Sequence, residues 1–388
     1  MTIKDISASL AEYRELFPVT AHHVYMNHAA TSPLSLRVIA AMQEHLQERS
    51  ESCPDNWPQT FERSGKLRSL IAELIGTTPD RLALLQNTCS GLNVIAAGLD
   101  WQAGDEILIP EGEFPANVYP FTNLERFGVK VRFLAVPEGG LTPEILERSI
   151  SPRTRLLTLS FVEFLSGYKA DLAIIGKICH ANDIIFVVDG IQGVGAIPID
   201  VEEFGIDALA NGMHKWMMCP QGLAFLYLSR ELQGRVHPTH LGWVGVKKPE
   251  EFLNYPQELS EEARRYELGG FNSAGVAGAV AAVSMLLEVS PQNTYVQLKT
   301  LTSRLMEGLE KLGYRLYTHS DLNHRSGIVT FHPRDKNLSE RLYQRLTEQN
   351  ITISMRSSMI RVAPHFYNTV EEIDRVLSVC DGFIRHLH

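Results

Sequence analysis

The sequence predicts an α/β fold: a large domain built on a mostly parallel seven-stranded sheet, followed by a smaller α+β C-terminal domain. Three observations carry this. Short apolar runs alternate with helical patterns from residue 82 to residue 228, the rhythm of a parallel sheet with helices on its faces. Several runs, above all Ile184 to Val188, are apolar at every position, as strands buried on both faces must be. Past residue 290 the rhythm changes to helices interleaved with short strands.

In chain order, residues 3–16 predict a surface helix and Val24 to Met26 a short strand. Asn27 to Pro33 forms a turn of small residues, and helical patterns follow at 35–49 and 59–75. Between them, Ser50 to Pro58 carries Pro54, Asn56, Trp57 and Pro58 and predicts a loop. Strands are expected at 82–85, 106–109, 129–135, 155–160, 184–188, 206–210 and 223–228. Helices are expected at 89–99, 116–127, 143–150 and 171–181. Residues 230–273 form an irregular surface excursion, and Ala274 to Leu287 an alanine-rich helix. The tail predicts helices at 293–312, 338–349 and 369–385 with strands at 314–317, 325–331, 352–355 and 359–363. This divides the chain into a large unit, 18–280, and a small unit made of 1–17 and 281–388.

The bulk properties exclude several classes. The 388 residues are 44% hydrophobic and 21% charged, ordinary for a globular protein of one or two domains. A net charge of −9 leaves no basic excess to neutralise phosphates, so nucleic acid is not the expected partner. No apolar stretch approaches the roughly 18 residues of a membrane span. The first 17 residues mix charged and apolar positions and lack the apolar centre of a signal peptide, which suggests a cytoplasmic protein. Cys53, Cys89, Cys179, Cys219 and Cys380 lie far apart without a Cys-x-x-Cys pair, and the fourteen histidines form no His-x-x-x-His cluster. Reduced thiols and no metal site are expected.

Chemistry concentrates where the buried strands end. Strand 184–188 delivers Asp189, and strand 206–210 delivers Asn211, Gly212, His214 and Lys215. Ligands of parallel sheets bind at the C-terminal strand ends. An acid and a lysine brought there together are what a pyridoxal phosphate enzyme needs: the lysine forms a Schiff base, and the acid keeps the pyridine nitrogen protonated. The alternatives are a solvated lysine and a turn-capping aspartate. Gln192 either donates to the cofactor's ring hydroxyl or is a plain loop residue. Thr88, Cys89 and Ser90 begin a helix, where Thr88 or Ser90 is an N-cap or the free amides hold a phosphate. Phe114, before the first-turn proline Pro115, staples its own helix or stacks on a cofactor ring. Gly269 and Gly270 precede an Asn272 or Ser273 cap and either form a flexible loop or present amides to a phosphate. Arg361 alternates with apolar residues, so it is expected to be buried and paired with a glutamate or a substrate carboxylate. Arg356 is the weaker candidate.

The set Asn27-His28-Ala29-Ala30, Thr88-Cys89-Ser90-Gly91-Leu92-Asn93, Val188-Asp189-Gly190-Ile191-Gln192, Gly212-Met213-His214-Lys215 and Arg361 resembles the class V aminotransferase family of pyridoxal phosphate enzymes. Within it the subgroup of cysteine desulfurases, isopenicillin-N epimerases and kynureninases is most similar. The resemblance implies the fold type I arrangement of large and small domains and a homodimer with sites at the subunit interface. It implies Lys215 as the Schiff-base lysine, Asp189 as the pyridine partner, and His214 at the phosphate. Asn27, His28 and Ala29 would lie with Arg361 around the substrate. Cys89 stands where many relatives have a threonine, and Gly270 where desulfurases place a threonine that reaches the partner subunit's phosphate. Phe114-Pro115 looks more like the kynureninase pattern. The desulfurase loop with its nucleophilic cysteine is missing from Ile353 to Ile360. The expected function is a pyridoxal phosphate enzyme acting on a small amino acid or amine, with transamination first and C–S bond cleavage or epimerisation as alternatives. A non-catalytic protein that keeps the fold is the rival from another class. A nucleotide-binding protein is disfavoured by the lack of a Gly-x-Gly-x-x-Gly or Walker pattern.

Overall fold

The computed structural model describes residues 10–52, 57–136 and 139–386. Among these residues thirteen strands form three sheets. In the large unit they are β2 (Leu82–Leu85), β3 (Glu106–Pro110), β4 (Lys130–Leu134), β5 (Thr154–Ser160), β6 (Ile185–Asp189), β7 (Ala208–Gly212) and β8 (Ala224–Leu228). They make one seven-stranded sheet in the order β2-β8-β7-β6-β5-β3-β4. Strands β4, β3, β5, β6 and β7 run parallel, and β8 is antiparallel to both its neighbours. The apolar runs have the expected cause. In β6, Phe186 and Val188 enter the core on one face while Ile185 and Val187 enter the core on the other. Helix Leu172–Ala181 contributes Ile175 and Cys179 to the first core, and helix Thr88–Gly98 contributes Leu92 and Ile95 to the second.

The alanine-rich helix Ser273–Val289 is capped by Asn272, whose side chain accepts from the Gly275 amide. It lies against helix Leu36–Glu51 closely enough that a Cβ on Gly278 would come 2.8 Å from Met42. Among the described residues no single helix is long and apolar enough to cross a membrane.

In the C-terminal part, β9 (Arg315–Leu316), β10 (Val329–His332), β12 (Ser354–Arg356) and β13 (Met359–Val362) form a four-stranded sheet in the order β12-β13-β10-β9. Strand β11 (Ile351–Thr352) pairs in parallel with the N-terminal strand β1 (Val24–Tyr25). Val24 and Met26 therefore pack with Leu301, Phe331 and Ile360. The division drawn from sequence at 280/281 falls inside helix Ser273–Val289, and Ile328, Phe366 and Tyr367 share the large unit's core.

Three local expectations change. The helix expected at 116–127 is three short turns, Pro115–Asn117, Tyr119–Thr122 and Asn123–Phe127. Pro115 and Pro120 remove amide donors and stop one continuous ladder. The loop expected at 50–58 is shorter, because the first helix runs to Glu51 and the next begins at Trp57. Pro58 sits in that helix's first turn, where no amide is needed. Of the expected N-terminal helix, residues 10–14 are helical; residues 3–9 lie outside the described residues, as do Cys53, Pro54 and Asn56.

Candidate active site

Asp189 ends β6 and is 1% exposed. Its Oδ1 accepts from the Ile191 amide at 3.0 Å, the one protein donor to this carboxylate among the described residues. Burial pushes its pKa up to about 6, against the pull of Ile191 N–H and of Lys215. Lys215 follows three residues after β7, in a loop fixed from several sides. Met213 and Cys219 close the loop through the Cys219 amide, and Met218 takes a left-handed φ of 53°. The N-terminal turn clamps it: Ser32 donates its amide to His214 C=O and its hydroxyl to Lys215 C=O. His365 bonds Trp216 C=O through Nε2 at 3.0 Å. Burial lowers the Lys215 ammonium to about 8; Asp189 opposes this, and Arg361 and Arg356 add to it.

Lys215 and Asp189 share a cavity of about 470 Å³ with Phe114, Phe164, Arg356 and Arg361. The Phe114 ring centroid lies 5.7 Å from Lys215 Nζ, and its edge meets Phe164 at 5.4 Å. Thr88, Cys89, Gln192, His214 and Ala29 also line the cavity. Thr88 Oγ1 accepts from the Gly212 amide at 2.9 Å, tying a helix N-terminus to the end of β7. Gly212 is closely packed: a Cβ would stand 2.8 Å from Ile191 Cδ1 and 3.0 Å from Thr88 Oγ1. Gln192 is pinned: it donates to Ala29 C=O at 3.0 Å and accepts from Trp216 Nε1 at 2.9 Å. His214 is held below its usual pKa by burial and by the Lys215 charge. Burial and the Asp189 charge raise the Cys89 thiol, so it stays protonated at neutral pH.

Arg361 is 2% exposed. It bonds neutral oxygens: Nε donates to Ser354 Oγ at 3.2 Å and Nη1 to Phe164 C=O at 2.7 Å. Burial and the neighbouring Arg356 charge lower its pKa to about 10, opposed by Glu163. Among the described residues Arg361 forms no ion pair with a glutamate. A buried guanidinium with neutral partners is suited to a carboxylate that enters from the cavity.

Four residues of the expected site lie off this cavity. His28 is fully buried and does not line the cavity. Its two ring nitrogens are taken by Ala363 C=O at 2.8 Å and Tyr367 OH at 2.7 Å, and burial holds it well below its usual pKa. Asn27 bridges to Ala363 through its backbone and also lies off the cavity. The helix at 88–98 is capped by Asn87, whose Oδ1 accepts from the Ser90 amide; Ser90 Oγ bonds the same oxygen and lies off the cavity that holds Lys215. Gly270, at φ +64°, is exposed and stands outside this cavity.

Sequence reasoning missed Phe164, Ser32, Glu113 and Asn117. Phe164 and Ser32 have no local signal, because they reach the site from distant segments. Glu113 and Asn117 had one: an acid and an amide four residues apart across a predicted helix start.

With this geometry, the chain can be set beside known proteins. A family model described as aminotransferase class-V matches residues 24–376. An uncharacterized aminotransferase of Bacillus subtilis is 28% identical over 93% of this chain and 95% of its own length. A probable cysteine desulfurase of Methanothermobacter thermautotrophicus is 27% identical over 93% and 95%. The cystine C-S lyase C-DES, solved in complex with cysteine persulfide, is 27% identical with a TM-score of 0.87, over 94% of this chain and 99% of that one. In a lysine-to-alanine variant of C-DES, glycine is covalently linked to the PLP cofactor (26% identity, TM-score 0.88, 95% and 99% covered).

Proposed function

We propose, from the premise that this chain belongs to the class-V aminotransferases, that the cavity at Lys215 is the active site of an enzyme acting on α-amino acids. The cofactor is pyridoxal 5′-phosphate. One observation carries the reading: a buried acid, a depressed lysine and a buried arginine with neutral partners face the same cavity.

The residues fit the cofactor. The Asp189 carboxylate keeps an oxygen without a protein donor, as a partner for a protonated ring nitrogen. Phe114 offers an aromatic face beside Lys215. The first turn of helix Thr88–Gly98, with Thr88, Cys89 and His214 at the cavity wall, would receive the phosphate. Bound there, the cofactor supplies an electron sink for the bonds at the substrate's Cα. Lys215, with a pKa near 8, is in part neutral at physiological pH and can both hold the cofactor covalently and carry a proton to or from Cα. Arg361 grips the substrate carboxylate through its free guanidinium edge, and Arg356 at the cavity wall adds a second positive charge. Ala29 and Phe164 bound the substrate space. In this reading the chain works as a homodimer in the cytoplasm, with the exposed Gly270 amide turned to the partner subunit's phosphate.

Transamination is the leading reaction. C–S bond cleavage is the second reading, favoured by the hairpin β12–β13. It turns through Ser357 and Ser358 alone, both left-handed, with Arg356 paired to Met359. That leaves no room for a cysteine-bearing loop. Cys179, Cys219 and Cys380 are buried with raised pKa values. Cys89, at the cavity wall, has its thiol raised by burial and by Asp189, so among the described residues no thiolate is placed to take sulfur from a substrate, and a cleaved sulfur would depart with the product.

The test is direct. Purified protein should carry a visible band that borohydride bleaches. An amino-acid panel then separates the reactions: a keto acid formed with conversion to the pyridoxamine form marks transamination, and sulfide or persulfide with pyruvate marks C–S cleavage. A colourless protein that takes up no added cofactor refutes the proposal.

A further inference from the structure

Glu113 precedes Phe114 and lies just outside the cavity, with its carboxyl group enclosed. Three donors converge on it. Ser160 gives its amide to Oε1 at 2.6 Å and its hydroxyl to Oε2 at 2.5 Å, and Asn117 Nδ2 reaches Oε2 at 3.1 Å. Asn117 is itself fully buried and accepts from Thr158 Oγ1 at 2.6 Å. Ser160 ends β5 opposite Asp189, and the next residue, Phe161, donates its amide to Asp189 C=O at 2.9 Å. One carboxylate thus joins the turn that carries Phe114 to the strand end that flanks Asp189. Hydrogen bonds to a carboxylate fix geometry, and removing the acceptor leaves the fully buried Asn117 and the half-buried Ser160 without it.

We propose that Glu113 is a positioning residue: it ties the Phe114 turn to the end of β5 and so sets the Phe114 ring beside Lys215 and Asp189. The proposal rests on the reading of the cavity as a pyridoxal phosphate site. Burial raises this carboxyl to about 7, opposed by the hydrogen bonds from Ser160 and Asn117.

The experiment uses Glu113→Ala and Glu113→Gln in the full chain. Pyridoxal phosphate is titrated into each apoprotein, the visible circular dichroism per bound cofactor is recorded, and thermal unfolding is followed in parallel. For Glu113→Ala we expect cofactor affinity to fall about tenfold and the dichroism to drop about twofold, as lost buried charged hydrogen bonds imply. Glu113→Gln should recover most of both, because its carbonyl still accepts the Ser160 amide. In a Phe114→Ala background Glu113→Ala should add less than about twofold, because residues acting through one another are not additive. Should Glu113→Ala not fold, Ser160→Ala carries the test, with a smaller shift in the same direction. A melting temperature that falls while affinity and dichroism stay at wild-type values overturns the proposal, as do effects that multiply in full with Phe114→Ala. A wild type that binds no cofactor refutes the underlying reading as well; one that binds it with Glu113 inert refutes the positioning role alone.

Discussion

Two cavities of this protein differ in size and in charge. The larger, about 930 Å³, is walled by Trp57, Phe61, Trp243 and Phe252. Both arginines on its wall are paired: Arg68 with Glu267 at 2.6 Å and Arg264 with Glu262 at 3.7 Å. The smaller, about 470 Å³, holds Asp189, Lys215 and Arg361, none of which forms an ion pair among the described residues. Burying a charge without an ion-pair partner is unfavourable by several kcal/mol, roughly, and groups of this kind gather at functional sites. Volume therefore does not find the site. The desolvated, unpartnered charges do, and the contrast can be attacked from either side.

The largest effect is expected from Lys215→Ala. It removes both the covalent anchor and the proton carrier, so kcat/KM should fall by about 10²–10⁴ or more and the visible band should vanish. Turnover that survives would move the chemistry out of the smaller cavity. Next comes Arg361→Ala. Losing a charge-assisted, two-pronged hold on a carboxylate should raise KM for amino acids by about 10- to 100-fold, while cofactor affinity stays unchanged. An amine without a carboxylate serves as the control and should not notice the change. Equal losses for both substrates would make Arg361 a structural residue of the hairpin.

The two walls of this cavity were not equally legible in the sequence. Strands β6 and β7, with Asp189 and Lys215 at their ends, were read within two residues because a strand buried on both faces is apolar throughout, a local signal. The capping and orientation of side chains near the N-terminus were not. Asn27 to Ala30 reads as one motif, yet the turn sends His28 to Tyr367 and leaves Ala29 at the cavity. Strand β1 pairs with β11 across nearly the whole chain, and no local pattern encodes such a pairing. Arg361 announced its burial by alternating with apolar residues, but its neutral partners come from Ser354 and Phe164, fixed by the hairpin register and by a distant loop. The broken helix at 115–127 is different: Pro120 was a readable signal that the apolar periodicity outweighed.

A smaller effect, of unusual sign, is expected for the stability of the apoprotein. The Asp189 pKa is raised to about 6, whereas the unfolded chain ionises near 3.9. Between those values the unfolded state releases its proton first, so this group's contribution falls as pH rises through the window and stays low above it. Asp189→Asn has no charge to desolvate and still accepts from Ile191. At pH 8 the variant apoprotein should be more stable than wild type by about 1–3 kcal/mol in urea unfolding, with the difference closing as pH approaches 4. A variant less stable at pH 8 would mean that Asp189 is satisfied within the protein and awaits no ligand.

The smallest effect should come from the other cavity. Phe252 is 71% exposed and meets Trp243 edge-on at 5.9 Å. Phe252→Ala should shift stability by no more than about 0.5 kcal/mol and kcat/KM by less than about twofold. A tenfold loss of activity at unchanged protomer association would bring the larger cavity into catalysis and break the contrast. Weakened association in sedimentation, with activity per cofactor intact, would instead make the aromatic wall a contact between subunits. Its paired charges and apolar rings would then be explained by contact with a second chain, and the unpaired charges around Lys215 would remain the mark of chemistry.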